Sequence, residues 1–208
     1  MFQGCTEKLP KVLIIGDSIA GGYFPFVEEK LNGKVLLKFA TQIDDKGEIT
    51  TFRGTTTGAK NVDKWISEIE WDVIHFNFGL HDMKHIKPGT NKNSTNLNDP
   101  QQANPEQYGK NLRVIVEKLK ASGAKLVFAT TTPYPNKLGK QMRSPGMPAI
   151  YNEVAIEIMR ENKIVINDLY SHVLPRIEKL QRPKNVHFME NGSKALGEKV
   201  AQSILENL

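Results

Sequence analysis

Lys11-Val12-Leu13-Ile14-Ile15-Gly16-Asp17-Ser18-Ile19-Ala20 is the stretch that decides how the rest of the chain is read. Its aliphatic run from Val12 to Ile15 is short and stops at a Gly, the pattern of a strand buried on both faces. Ala20, Gly21 and Gly22 follow, small residues that let the backbone turn tightly and begin a helix. Ser18 is thereby expected at the carboxyl end of a central strand, beside a helix N-terminus. Ligands bind at that edge of open α/β sheets, and backbone N–H groups there stabilise an anion. Asp17 and Ser18 are equally good helix caps, so this stretch alone leaves cap and nucleophile even.

Working outward, apolar strands alternate with helices. A helix is expected over 23–31 and a strand over 35–40, with a turn at Asp44-Asp45-Lys46-Gly47. Arg53-Gly54-Thr55-Thr56-Thr57-Gly58 is a polar loop before a helix that carries Val62, Trp65, Ile66 and Ile69. A strand over 71–79 leads into Leu80-His81-Asp82 and a polar loop over 84–105. Loops longer than ~15 residues are commonly functional, although a surface insertion is an equal alternative. Beyond it come a helix over 105–122, a strand over 125–130, a polar loop over 134–147, a helix over 147–162 and a short strand over 164–166. Asp168–Leu180 reads as helix kinked at Pro175, 181–187 as a loop and 190–208 as the last helix. The alternation predicts an α/β fold: a three-layer α/β/α sandwich around a flavodoxin-like parallel sheet of about five strands. Residues 11–208 are expected to form a single domain behind a flexible segment at 1–10.

The chain has 208 residues and a formal net charge of +5. Its lysines are spread through many segments and interleaved with acids, so no nucleic-acid partner is expected. No apolar run reaches the ~18 residues needed to span a membrane. Cys5 is the one cysteine, which excludes an internal disulfide and a Cys-based zinc site. Phe2-Gln3-Gly4-Cys5 is loosely like the end of a bacterial lipoprotein signal; a flexible start with an incidental cysteine is the competing reading. The expected location is accordingly periplasmic or secreted with the leader removed, or else cytoplasmic. His81, Asp82 and His85 lack metal-ligand spacing, and no glycine pattern makes a nucleotide fingerprint, so no metal and no cofactor are expected. His75, inside a strand, reads as a packed histidine, while His85 and His172 read as surface residues.

Carboxyl ends of parallel strands share one side, so Ser18, Gly54, His81-Asp82 and Thr131-Thr132 are expected along one edge, with His187 returning to it from the loop before the last helix. Acyl transfer needs a serine, a base and N–H donors for a developing oxyanion. At these residues the chain resembles the SGNH (GDSL-type) hydrolases. Gly16-Asp17-Ser18-Ile19 matches their first block, Gly54 the second with Gly58 as fallback, Gly79-Leu80-His81-Asp82 the third, and His187 with Gly192 the fourth. The resemblance implies Ser18 as nucleophile, His187 as base, and an oxyanion hole from Ser18, Gly54 and residue 81. Asp17, Asp82 and Asn185 are expected to support the site. Two departures stand out. His81 replaces an Asn, and a ring N–H can donate in its place in the correct tautomer. Lys184 replaces the Asp three residues before the base. Asn185 through its side-chain oxygen, a backbone carbonyl, or a carboxylate such as Glu190 are the candidates to orient His187. The expected activity is hydrolysis of short acyl, acetyl-type esters on a small-molecule or carbohydrate substrate through a Ser–His dyad or atypical triad. A catalytically weak binding protein on the same fold is the alternative.

Overall fold

A computed structural model describes residues 8–43, 49–50, 54–67 and 69–208. Cys5, the turn at 44–47 and Arg53 lie outside the described residues.

The elements run β1 (Lys11–Ile15), α1 (Ser18–Leu31), β2 (Leu36–Phe39), β3 (Gln42–Ile43), β4 (Ile49–Thr50), α2 (Thr55–Ile66) and β5 (Val73–Phe76). They continue with α3 (Pro105–Ala121), β6 (Lys125–Ala129), α4 (Met147–Glu161), β7 (Val165–Asn167), α5 (Leu169–Val173), α6 (Ile177–Leu180) and α7 (Glu190–Leu205). Five strands form one sheet in the order β2-β1-β5-β6-β7, every neighbour parallel. β3 and β4 pair separately as an antiparallel ribbon. Helices α1 and α7 pack together, as do α2 with α3 and α3 with α4. These two helical groups cover the sheet as the outer layers of an α/β/α sandwich, since parallel strands need crossover connections that bury both faces.

Burial follows the sequence closely. Val12, Leu13, Ile14 and Ile15 are all within 1% of full burial, which is why β1 carries no polar side chain after Lys11. His75 is fully buried in β5, and burial pushes its pKa down to about 3. Its ring is therefore neutral, and Asn167 lies 3.2 Å from Nε2. Helix α1 begins at Ser18, five residues before the expected start at Tyr23, because Asp17 caps it: its carboxylate accepts from Ile19 N–H at 2.8 Å. Helix α2 stops at Ile66, so Ile69 packs from outside it.

Register aligns the strand ends. Ile15 pairs with Phe76, Phe76 with Phe128, and Ala129 with Asn167. The segments after β1, β5 and β6 thus leave the sheet at one edge. The strand order reverses direction between β1 and β5, and the crevice at such a switch point is where α/β sheets place their ligands. Ser18 follows β1, and His81 follows β5. At the start of α7, a side chain on Gly192 would collide with the Leu180 carbonyl and the Phe188 ring. The bare glycine lets the helix close against the loop that carries His187.

Candidate active site

Ser18 is the first residue of α1, partly buried, with its hydroxyl at the sheet edge. Its Oγ lies 2.9 Å from His187 Nε2. On the far side of the ring, Nδ1 lies 2.8 Å from Asn185 Oδ1. The same oxygen accepts from the His187 backbone N–H at 3.0 Å. An amide NH₂ could not accept that N–H, so the atom facing the ring is the carbonyl oxygen, and Nδ1 must carry the proton. Nε2 is left with its lone pair toward the Ser18 hydroxyl. This is the tautomer a general base requires.

The loop achieves this with an Asx turn, a side-chain oxygen bonded to the N–H two residues on. Lys184 adopts the left-handed conformation (φ 54°) and swings Asn185 under the ring. Gly139 N–H donates to the Lys184 carbonyl at 2.8 Å, and the Gln181 side chain donates to the carbonyls of Pro133 and Val186. The group that holds Nδ1 is therefore Asn185, two residues before the ring, and neither position 184 nor Glu190. Burial holds the His187 pKa below the ordinary histidine value; Asp17 opposes this, and the charges of Arg182, Arg143 and Lys84 add to it.

His81 shares a cleft of about 360 Å³ with Ser18 and His187. Its Nδ1 lies 3.2 Å from Lys84 Nζ. An ammonium has donors and no acceptor, so Nδ1 accepts and Nε2 carries the ring proton.

Asp82 is fully buried and accepts from Thr55 N–H at 2.9 Å and from the Thr55 hydroxyl at 2.6 Å. Burial pushes its pKa up to about 7 against those bonds. It ties the start of α2 to the end of β5, next to His81. Gly54, the cap residue there, sits at φ 94° with the Asp82 carboxylate and Gln102 amide packed where a Cβ would be. Only glycine fits. Gly58 is separated from it by its bonding: its N–H donates to Gly54 O at 3.0 Å inside α2, leaving nothing for a ligand. Asp17 is buried, which raises its pKa, and the Ile19 N–H and the Arg143 charge oppose the rise. Thr131 is committed to structure. Its N–H donates to Asn152 and its hydroxyl to Phe78 O.

The polar loops over 84–105 and 134–147 meet and wall the cleft. His85, expected at the surface, is buried. It bridges Asp99 O at 2.6 Å and Ser144 Oγ at 2.9 Å. His172 is half-buried in α5. Arg143 is the residue that sequence reasoning missed. It is 4% exposed, donates from Nε to Leu80 O at 2.7 Å, and lines the cleft. Nothing in a polar loop marks one cation as buried. A second cleft, lined by Ile19, Gly22, Phe26, Phe188 and Ser193, opens on the other side of Ser18.

Among the described residues, no group of three or more His, Cys, Asp or Glu is placed to hold a metal ion, and no helix is long and apolar enough to cross a membrane.

The family model for GDSL-like lipases/acylhydrolases matches residues 14–195. Sequence search against curated proteins returns no match. Among solved structures, the acetyl xylan esterase AlAXEase is similar in fold at 18% identity and a TM-score of 0.69, over 93% of this chain and 99% of that one. A lipase/acylhydrolase from Enterococcus faecalis is similar at 18% identity and a TM-score of 0.72, over 94% and 95%. A carbohydrate esterase family 3 protein from Talaromyces cellulolyticus is similar at 15% identity and a TM-score of 0.69, over 95% and 97%.

Proposed function

The chain belongs to the GDSL-like lipase/acylhydrolase family and hydrolyses ester bonds, and on that premise we propose a serine esterase in which Ser18 is the nucleophile and His187 its base. The supporting observation is the relay Ser18 Oγ–His187 Nε2 with Nδ1 held by Asn185. Ser18 Oγ attacks the ester carbonyl as Nε2 takes its proton. The oxyanion is held by the backbone N–H groups of Ser18 and Gly54 and by His81 Nε2–H. Collapse expels the alcohol, to which the imidazolium returns the proton. Water, deprotonated by the same Nε2, then releases the acid and frees Ser18. Asn185 is a neutral stand-in for the usual carboxylate: it fixes ring and tautomer but adds no charge to steady the imidazolium.

Short acyl groups on a polar, carbohydrate-like alcohol are the proposed substrates. The Lys84, Lys140, Arg143 and Asn185 side chains that line the cleft support this, as does the shared fold with an acetyl xylan esterase and a family 3 carbohydrate esterase.

The test is hydrolysis of 4-nitrophenyl acetate, butyrate and octanoate by wild type, Ser18→Ala and His187→Ala. Acetate should be the best substrate, and both variants should fall by at least 10³-fold, as for loss of a nucleophile or base in a serine hydrolase. Equal rates for wild type and Ser18→Ala would overturn the proposal and favour a binding protein on this fold.

A further inference from the structure

The cleft on the His81 side of Ser18 has an unusual charge balance. Lys84, Lys140, Arg143 and Lys184 all line it, and no carboxylate does. Lys140 and Lys184 are exposed at its mouth. Arg143 is different: the residue is only 4% exposed, and its side chain is tethered by a bond from Nε to Leu80 O. Among the described residues, no carboxylate lies within ion-pair distance of it. A buried cation without a partner is costly to the fold. The charge of buried Asp17 reaches it, but the two make no ion pair, and the Asp17 carboxylate bonds the Ile19 N–H instead. A planar fork held at a reactive centre without an ion pair, among three lysines and no lining carboxylate, has the chemistry of an anion receptor.

We propose that this cleft selects esters that carry a negative charge, a carboxylate or sulfate, near the scissile bond. The inference rests on the esterase reading above. Arg143 receives the anionic group. Lys140 and Lys184 steer it in. Lys84 adds charge while holding His81.

The experiment uses matched pairs. On the alcohol side, 4-acetoxybenzoate is compared with 4-acetoxybenzamide; on the acyl side, mono(4-nitrophenyl) glutarate is compared with 4-nitrophenyl pentanoate. At 20 mM salt the anionic member should lead in kcat/KM by about tenfold or more in one arm, which also tells which side carries the charge. The lead should shrink toward parity at 0.5 M NaCl, where the Debye length falls below about 5 Å. Arg143→Gln should abolish most of the preference. Should that variant fail to fold, the exposed pair Lys140→Glu/Lys184→Glu should cut it at least fivefold. Equal or better turnover of the neutral member in both arms overturns the proposal, as does a preference that charge reversal leaves unchanged. Binding to Ser18→Ala separates this from the esterase reading. If no ester is turned over, yet 4-acetamidobenzoate binds at least tenfold tighter than 4-acetamidobenzamide, the anion site stands and the esterase reading falls. Equal binding of the two amides, and equal binding of the 4-nitroanilides of glutarate and pentanoate as their acyl-side counterparts, sinks the anion site whatever the turnover.

Discussion

Replacing Asn185 probes the least conventional part of the site. Its Oδ1 takes two hydrogen bonds, from His187 N–H and from Nδ1, and both vanish in Asn185→Ala. In the resting enzyme the bond to Nδ1 is neutral. In the transition state the ring is cationic, and a hydrogen bond to a charged group is worth about 1.5–3 kcal/mol. The neutral bond, about 0.5–1.5 kcal/mol, is lost from the ground state as well, which leaves about 1–1.5 kcal/mol, or at 1.36 kcal/mol per decade about 5- to 13-fold in kcat, with KM nearly unchanged because nothing on the substrate is touched. Asn185→Asp works in the opposite direction. A carboxylate at the same distance steadies the imidazolium, raising both its pKa and the rate once the ring is neutral. Asn185 is exposed, so solvent screens the gain to about 1 kcal/mol, somewhat under one pKa unit and up to about fivefold in kcat. The assay is the pH profile of kcat/KM for 4-nitrophenyl acetate. Wild type should gain activity as pH rises through a value below the ordinary 6.5, because burial depresses His187. In Asn185→Asp that limb should move up. The reasoning is refuted if Asn185→Ala stays within twofold of wild type, or if Asn185→Asp leaves the acid limb in place, as a purely structural Asx turn would.

Two further outcomes follow from the neighbouring groups. His81→Ala should lower kcat about 10²–10³-fold, the usual cost of one oxyanion donor, while His81→Asn, which restores an N–H donor, should recover most of it in the same steady-state assay. Asp82 carries a pKa raised to about 7 by burial, against about 3.8 when unfolded. A raised folded-state value means that its contribution is fully present below the unfolded pKa and is lost as pH rises through the folded one. Asp82→Asn keeps an acceptor for Thr55 and has nothing to ionise, so its stability relative to wild type should improve between pH 4 and 8, by on the order of a few kcal/mol. Urea unfolding of both proteins across that range measures it; a constant difference would show that Asp82 does not titrate there.

The reach of sequence and of tertiary structure divides along physical lines. Hydrophobic period is local, so the buried run at 12–15, the amphipathic helices and their alternation were readable, and with them the parallel sheet and its common carboxyl edge. The order of Gly16-Asp17-Ser18, Gly54, His81-Asp82 and His187 along that alternation was enough to point to ester hydrolysis. Even there cap and nucleophile do not compete for one residue, because Asp17 caps α1 and leaves the Ser18 hydroxyl against His187. What orients His187 could not be read, although Asn185 is only two residues away. The contact depends on a left-handed Lys184, and that turn is pinned by Gly139 from a distant loop. Gly54 and Gly58 look alike in sequence, and it is a bond within α2 that occupies the N–H of one and leaves the other against Asp82. The His81 tautomer is set by Lys84, and the charge of Arg143 counts only because two polar loops close over it. A strand is specified by its own side chains, whereas the tautomer of a ring or the value of a charge depends on which remote atoms are packed against it, and only the folded chain fixes those.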